Sequence, residues 1–111
     1  MEKRLEIKQV FSDKQLLKWQ TGYIFLLWRF RKFVELEAKA AKAKDDHMRR
    51  RWWDKRSHIW KKIQEHEQRA PEQAKELTQI VLKMIAQGKH PKQIIEELNQ
   101  ERVKKRETTT L

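Results

Sequence analysis

The sequence has no cysteine, and only two glycines and two prolines in 111 residues. The missing cysteine excludes disulfides, thiolate metal sites and a cysteine nucleophile, and it fits a reducing cytoplasm. So few glycines and prolines leave little material for the turns of an all-β fold. The longest apolar run, Tyr23 to Trp28, falls well short of the roughly 20 residues that a bilayer-spanning helix needs. The first residues, MEKRLEIKQV, lack the apolar core of a signal peptide. The expectation is a cytoplasmic chain without a membrane span.

Acid is also scarce. Against 27 Lys+Arg stand 16 Asp+Glu, a net charge of +11, with a sequence pI near 10.1. Such a surface attracts phosphates and releases their counterions on binding, which makes nucleic acid a natural partner. Anionic membranes and acidic proteins feel the same pull, so charge by itself names a class of partners.

Lys, Glu, Gln, Leu and Ala dominate long stretches, and these residues lose little free energy in a helix. The pattern predicts an all-α fold, a small bundle of about four helices with a long central N-terminal helix. Residues 1–11 read equally well as a strand or a helical turn. Ser12 with Gln15 forms a capping box and Phe11 with Leu16 a hydrophobic staple, so the first helix should start at Asp13. Its face of Leu16, Leu17, Tyr23, Ile24, Leu27, Phe30 and Val34 is widened almost round the helix by Trp19, Phe25, Leu26, Trp28 and Phe33. A helix so apolar wants cover from several neighbours. Gly22 would let one of them come close. The segment Glu35–Lys44 continues it, and Asp45-Asp46 begins the next.

The second helix should run from about Asp46 to Gln68, with Met48, Trp52, Ile59 and Ile63 sharing a stripe. Ala70-Pro71 ends it, and Pro71 suits the first position of a third helix. Ala74, Leu77, Val81, Met84 and Ile85 give that helix one apolar face, and Gly88 stops it. Pro91 opens a short fourth helix with Ile94, Ile95 and Leu98. The domain reading is one helical unit over residues 1–101 and a charged flexible tail over 102–111.

The stretch most suggestive of function is Arg49 to Lys62, RRRWWDKRSHIWKK. Arg49, Arg50, Arg51, Lys55, Arg56, Lys61 and Lys62 face a single acid, Asp54. Cations neutralise phosphates, while flat aromatics stack on exposed bases or on arginine planes. Arg49, Trp53, Arg56 and Trp60 share one helical face beside the apolar stripe. Trp52 reads as core; Trp53 and Trp60 suit either core or base stacking. Arg29, Arg31 and Lys32, with Lys39, Lys42 and Lys44, mark a second basic surface on the first helix, which also fits a plain solvated face. Asp54, His58 and Glu65 share a face too, but such spacing is the ordinary pattern of solvent-face charge pairs. No phosphate loop, nucleophile elbow or H-E-x-x-H sequence is present. The sequence therefore implies neither an enzyme nor a cofactor.

Leu77–Leu98 resembles the first two helices of a LuxR-type helix-turn-helix domain. Leu82, Ile85, Ala86, Gly88, Lys89, Gln93, Ile94 and Leu98 carry the resemblance. It implies a DNA-binding regulator, although Asn99 to Arg106 lacks the small polar turn that opens the base-reading helix there. In size, helicity and basic character the whole chain is similar to small helical subunits of CRISPR effector complexes. That likeness implies a non-catalytic accessory protein holding RNA or DNA by phosphate contacts and tryptophan stacking, within a larger complex or homo-oligomer. Accessory proteins of mobile elements fit the same description. A third reading is a protein-interaction subunit or inhibitor that docks on an acidic partner.

Overall fold

The computed structural model describes the backbone of residues 13–110 and the side chains of residues 14–101. Among them the fold is all-α, with four helices and no strand. Helix α1 spans Asp13–Lys42, α2 Asp46–Arg69, α3 Pro71–Ala86 and α4 Pro91–Thr110. Phe11, Ser12 and the ambiguous segment 1–11, and with them the expected capping box and staple, lie outside the described residues.

Local chemistry explains each break. Helix α1 ends in a Schellman turn: Lys44 N–H donates to Ala41 O at 3.2 Å and Asp45 N–H to Ala40 O at 2.9 Å. Lys44 takes the left-handed position of that turn at φ 56°. Asp45 then caps α2, its carboxylate accepting from Met48 N–H at 3.1 Å. Ala70 joins α2 to α3, and Pro71 sits at the start of α3, where its missing N–H costs nothing. The α3 end repeats the Schellman turn, with Gly88 N–H to Ile85 O and Lys89 N–H to Met84 O. Here Gly88 supplies the positive φ, 85°. His90 begins α4, its Nδ1 accepting from Lys92 N–H at 3.2 Å.

Helix α4 is the main departure from expectation. It continues through residues 102–110, which the sequence assigned to a tail. No glycine or proline follows Pro91, and the Lys/Arg/Glu-rich run favours continuation.

Helix α1 is central as expected, packing against all three others. Its first half contributes Trp19, Tyr23, Ile24 and Leu27 to the core. These meet Ile59 and Ile63 of α2, Leu77, Val81 and Ile85 of α3, and Ile94 of α4. Trp19 is better buried than a place at the margin of the apolar face suggests, and Leu17 is exposed. Specific contacts favour this rotation. Trp19 Nε1–H donates to His66 O at 2.9 Å, and its ring stacks on Tyr23 at 5.1 Å and on His66 at 5.4 Å. Gly22 makes room: a Cβ there would lie 3.3 Å from His66 Nε2.

Beyond Leu27, Ala40 is the one described residue of α1 that is fully buried, and α2 has none before Ile59. In this stretch Phe33 stacks on Trp52 at 5.8 Å. The second half of α1 and the first half of α2 thus form a more lightly covered helical arm. The molecule is correspondingly long, 58 × 31 × 19 Å. Its radius of gyration is 17.0 Å, against about 13 Å for a compact domain of this length.

Candidate nucleic-acid interface

The basic, tryptophan-rich stretch occupies the part of α2 that belongs to this arm and the turn after it. An α-helix returns to nearly the same face every seven residues, with a rise of about 10.5 Å and a drift of about 20°. Trp53 and Trp60 are so related, and Ile59 and Ile63 face the core beside them. The result leaves both indoles half in water, Trp53 at 48% and Trp60 at 46%. Trp60 leans on Phe30 at 5.4 Å, and Trp53 lies under the Arg56 guanidinium at 5.9 Å. Trp52, on the core side, is half-buried against Phe33, as its place in the apolar stripe foretells.

The cations divide between the two edges of α2 and its outer surface. On the Trp53/Trp60 edge, Arg56 forms an ion pair with Glu37 of α1, Nε to Oε2. Its charge is already matched, so it acts as a brace between the helices and over Trp53. Arg49 has only a loose partner, Asp46, at 3.9 Å and in the open. Such exposed pairs contribute about 0–1 kcal/mol and release their cations readily. Arg49, Arg50 and Trp53 line a concavity of about 690 Å³ with Glu37, Asp46 and His47. On the opposite edge, Lys55 lies 5.1 Å above Trp52 and 5.9 Å from Phe33. Arg51 is 5.9 Å from the Trp52 ring. Arg50, Lys61 and Lys62 are exposed. Neither these three nor Arg51 or Lys55 has an ion pair with a described carboxylate.

The second basic surface is partly neutralised. Arg31 pairs with Glu35 at 3.2 Å, Lys32 reaches the same carboxylate at 3.9 Å, and Lys32 also lies 5.6 Å over Trp28. Arg29 is exposed and is not paired with a described carboxylate. Lys39, Lys42 and Lys44 are likewise exposed and form no ion pair with a described carboxylate. The structure thus gathers Arg49, Arg50, Trp53, Arg56 and Trp60 on one edge, sets Arg51 and Lys55 on the other, and leaves Arg31 and Lys32 near Glu35.

Sequence reasoning missed the continuation of the tryptophan stripe. Seven residues past Trp60 comes Glu67, whose Oε1 accepts from the hydroxyl of Tyr23 at 2.8 Å. That hydroxyl also lies 2.7 Å from Thr78 Oγ1. Burial is the largest cause that pushes the Tyr23 pKa up to about 12. The heptad spacing was visible in the sequence; the pairing with Tyr23 depends on how α1 and α2 align.

Two histidines have structural contacts. His66 bonds the Trp19 carbonyl at 3.0 Å, and His90 caps α4. Asp54, His58 and Glu65 are exposed. Among the described residues no group of three His, Cys, Asp or Glu side chains is placed to hold a metal ion, and no helix is long and apolar enough to cross a membrane. In the α3–α4 pair, Ile85 and Ile94 are buried while Leu82 is exposed. Residues 99–106 continue α4 without a turn.

No protein-family model, curated protein or solved structure matches this chain.

Proposed function

We propose that this chain is a non-catalytic nucleic-acid-binding accessory protein that holds a single strand of RNA or DNA along α2. The observation that carries this reading is the pair of half-exposed tryptophans, Trp53 and Trp60, on one face of a helix whose Arg50, Lys61 and Lys62 are exposed and without an ion pair among the described residues. A ring needed only for the core would be covered. A ring left open costs contact with water and offers a flat surface to a base. Arg49 and Arg50 beside Trp53, with Arg51, Lys55, Lys61, Lys62 and Arg29 around the helix pair, would meet the backbone. The protein would work in the cytoplasm as a strand-lining subunit of a larger nucleoprotein complex or homo-oligomer. CRISPR-type small subunits and mobile-element accessory proteins are examples of that role. The helix-turn-helix alternative has less support, because α4 runs on where a reading helix would have to start afresh.

Trp53→Ala and Trp60→Ala test the stacking directly. Each should weaken single-strand binding by about 5- to 150-fold, the worth of one stacked base. The salt dependence should stay near wild type, and the thermal midpoint should fall only by the modest amount that losing a half-buried ring implies. Unchanged affinity in both folded variants would remove stacking from the mechanism.

A further inference from the structure

The edge of α2 that bears the tryptophans leads into a second concavity, of about 720 Å³, between α2 and α3. Gln64, Glu67 and Gln68 line it from α2, and Lys75, Thr78 and Gln79 from α3. Resting on the strand-holding reading above, we infer that this concavity is a base-reading subsite that takes a guanine from the strand lying on Trp53 and Trp60.

The geometry of Glu67 is the first support. Its Oε1 is held by Tyr23, a side chain with 0% exposure, so the carboxylate is fixed from behind. Its Oε2 has no hydrogen-bond partner among the described residues. The Tyr23 hydroxyl already has Thr78 within hydrogen-bond distance, so satisfying that buried group does not by itself require a carboxylate. A carboxylate held in this way can only accept hydrogen bonds. Guanine is the base that places two donors, N1–H and the N2 amine, side by side on one edge. Adenine and cytosine set one donor beside an acceptor, and uracil or thymine sets one donor between acceptors. Lys75 and the glutamine amides add donors that suit guanine O6 in the same concavity.

Spacing is the second support. Trp53, Trp60 and Glu67 recur every seven residues, about 10.5 Å apart along the axis. That step equals about three rises of a stacked strand. A strand stacked on both rings therefore delivers a later base to Glu67 without changing direction.

The test uses the whole chain and short pyrimidine oligonucleotides, as DNA and as RNA, carrying one guanine, one inosine or one adenine. Inosine keeps N1–H and O6 but lacks the N2 amine. Binding followed by anisotropy should favour guanine by about ten-fold over both, the usual discrimination of one bidentate contact. Glu67→Gln should abolish that preference among the three oligonucleotides. The guanine–inosine comparison needs no variant, so a poorly folded Glu67→Gln protein leaves the test intact. Equal affinity for the three oligonucleotides would overturn the subsite and leave strand binding standing. Failure to bind any strand at low salt would overturn both.

Discussion

Tyr23 sits where α1, α2 and α3 meet, and it links the core to the candidate site. Its phenol is buried, and its hydroxyl has partners on both neighbouring helices. The folded state raises its pKa from 10.0 to about 12, burial being the largest cause. Folding thus holds this proton more tightly than the unfolded chain does. The associated stability is complete below the unfolded value and is lost as pH climbs from about 10 towards 12. Tyr23→Phe should cost about 1–2 kcal/mol near neutral pH through its lost hydrogen bonds. It should also escape the alkaline loss. Urea unfolding at about pH 8 and about pH 11.5 should show the gap between wild type and variant narrowing at the higher pH. A constant gap would mean that Tyr23 does not titrate between the two states. At this scale the sequence was partly legible. Helical spacing placed Arg49, Trp53, Arg56 and Trp60 on one face. It could not show that Arg56 meets Glu37, or that Glu67 meets Tyr23, because both contacts depend on the register between distant helices.

Among the elements, the two Schellman turns form a natural comparison. Each needs a residue at positive φ, and the chain places Lys44 in one and Gly88 in the other. A side-chain-bearing residue there costs about 1–2 kcal/mol that glycine avoids. A Cβ at Gly88 would meet nothing within 4 Å, so substitution there reports the backbone alone. Lys44→Gly should therefore stabilise the protein by about 1 kcal/mol, and Gly88→Ala should destabilise it by a similar amount. Thermal or urea unfolding reads both; two silent substitutions would show that neither turn holds its left-handed residue in solution. The punctuation of the fold was largely open to sequence reasoning, since Asp45, Pro71, Gly88 and Pro91 each act through local chemistry. The length of α4 was not. Its sequence passes from an apolar stripe to a charged run, and that loss of periodicity reads as a tail even where helix propensity persists.

For the whole molecule, the long shape separates two jobs. The end near Tyr23 and Ile63 supplies the packed core, while the arm of α1 and α2 presents aromatics and charge. The net charge of +11 fits a polyanion partner without indicating where it would lie. The folded chain narrows the choice, because Arg31, Lys32 and Arg56 have carboxylate partners while Arg50, Arg51, Lys55, Lys61 and Lys62 have none among the described residues. An acidic protein partner would use the same cations, but it would not require two tryptophans at base-stacking spacing. Salt dependence combined with strand preference therefore separates the readings.

The deciding measurement is a salt titration of binding to mixed-sequence single-stranded DNA, single-stranded RNA and duplex. It should be repeated on the variant with Arg49, Arg50, Arg51, Lys61 and Lys62 changed to Gln and the Arg56–Glu37 brace intact. Wild type should prefer a single strand, with affinity falling steeply as salt rises. The variant should lose affinity evenly across sequences, its slope flattened by about 0.7 for each lost phosphate contact. No binding at low salt, or an unchanged slope in the folded variant, would contradict strand holding along α2.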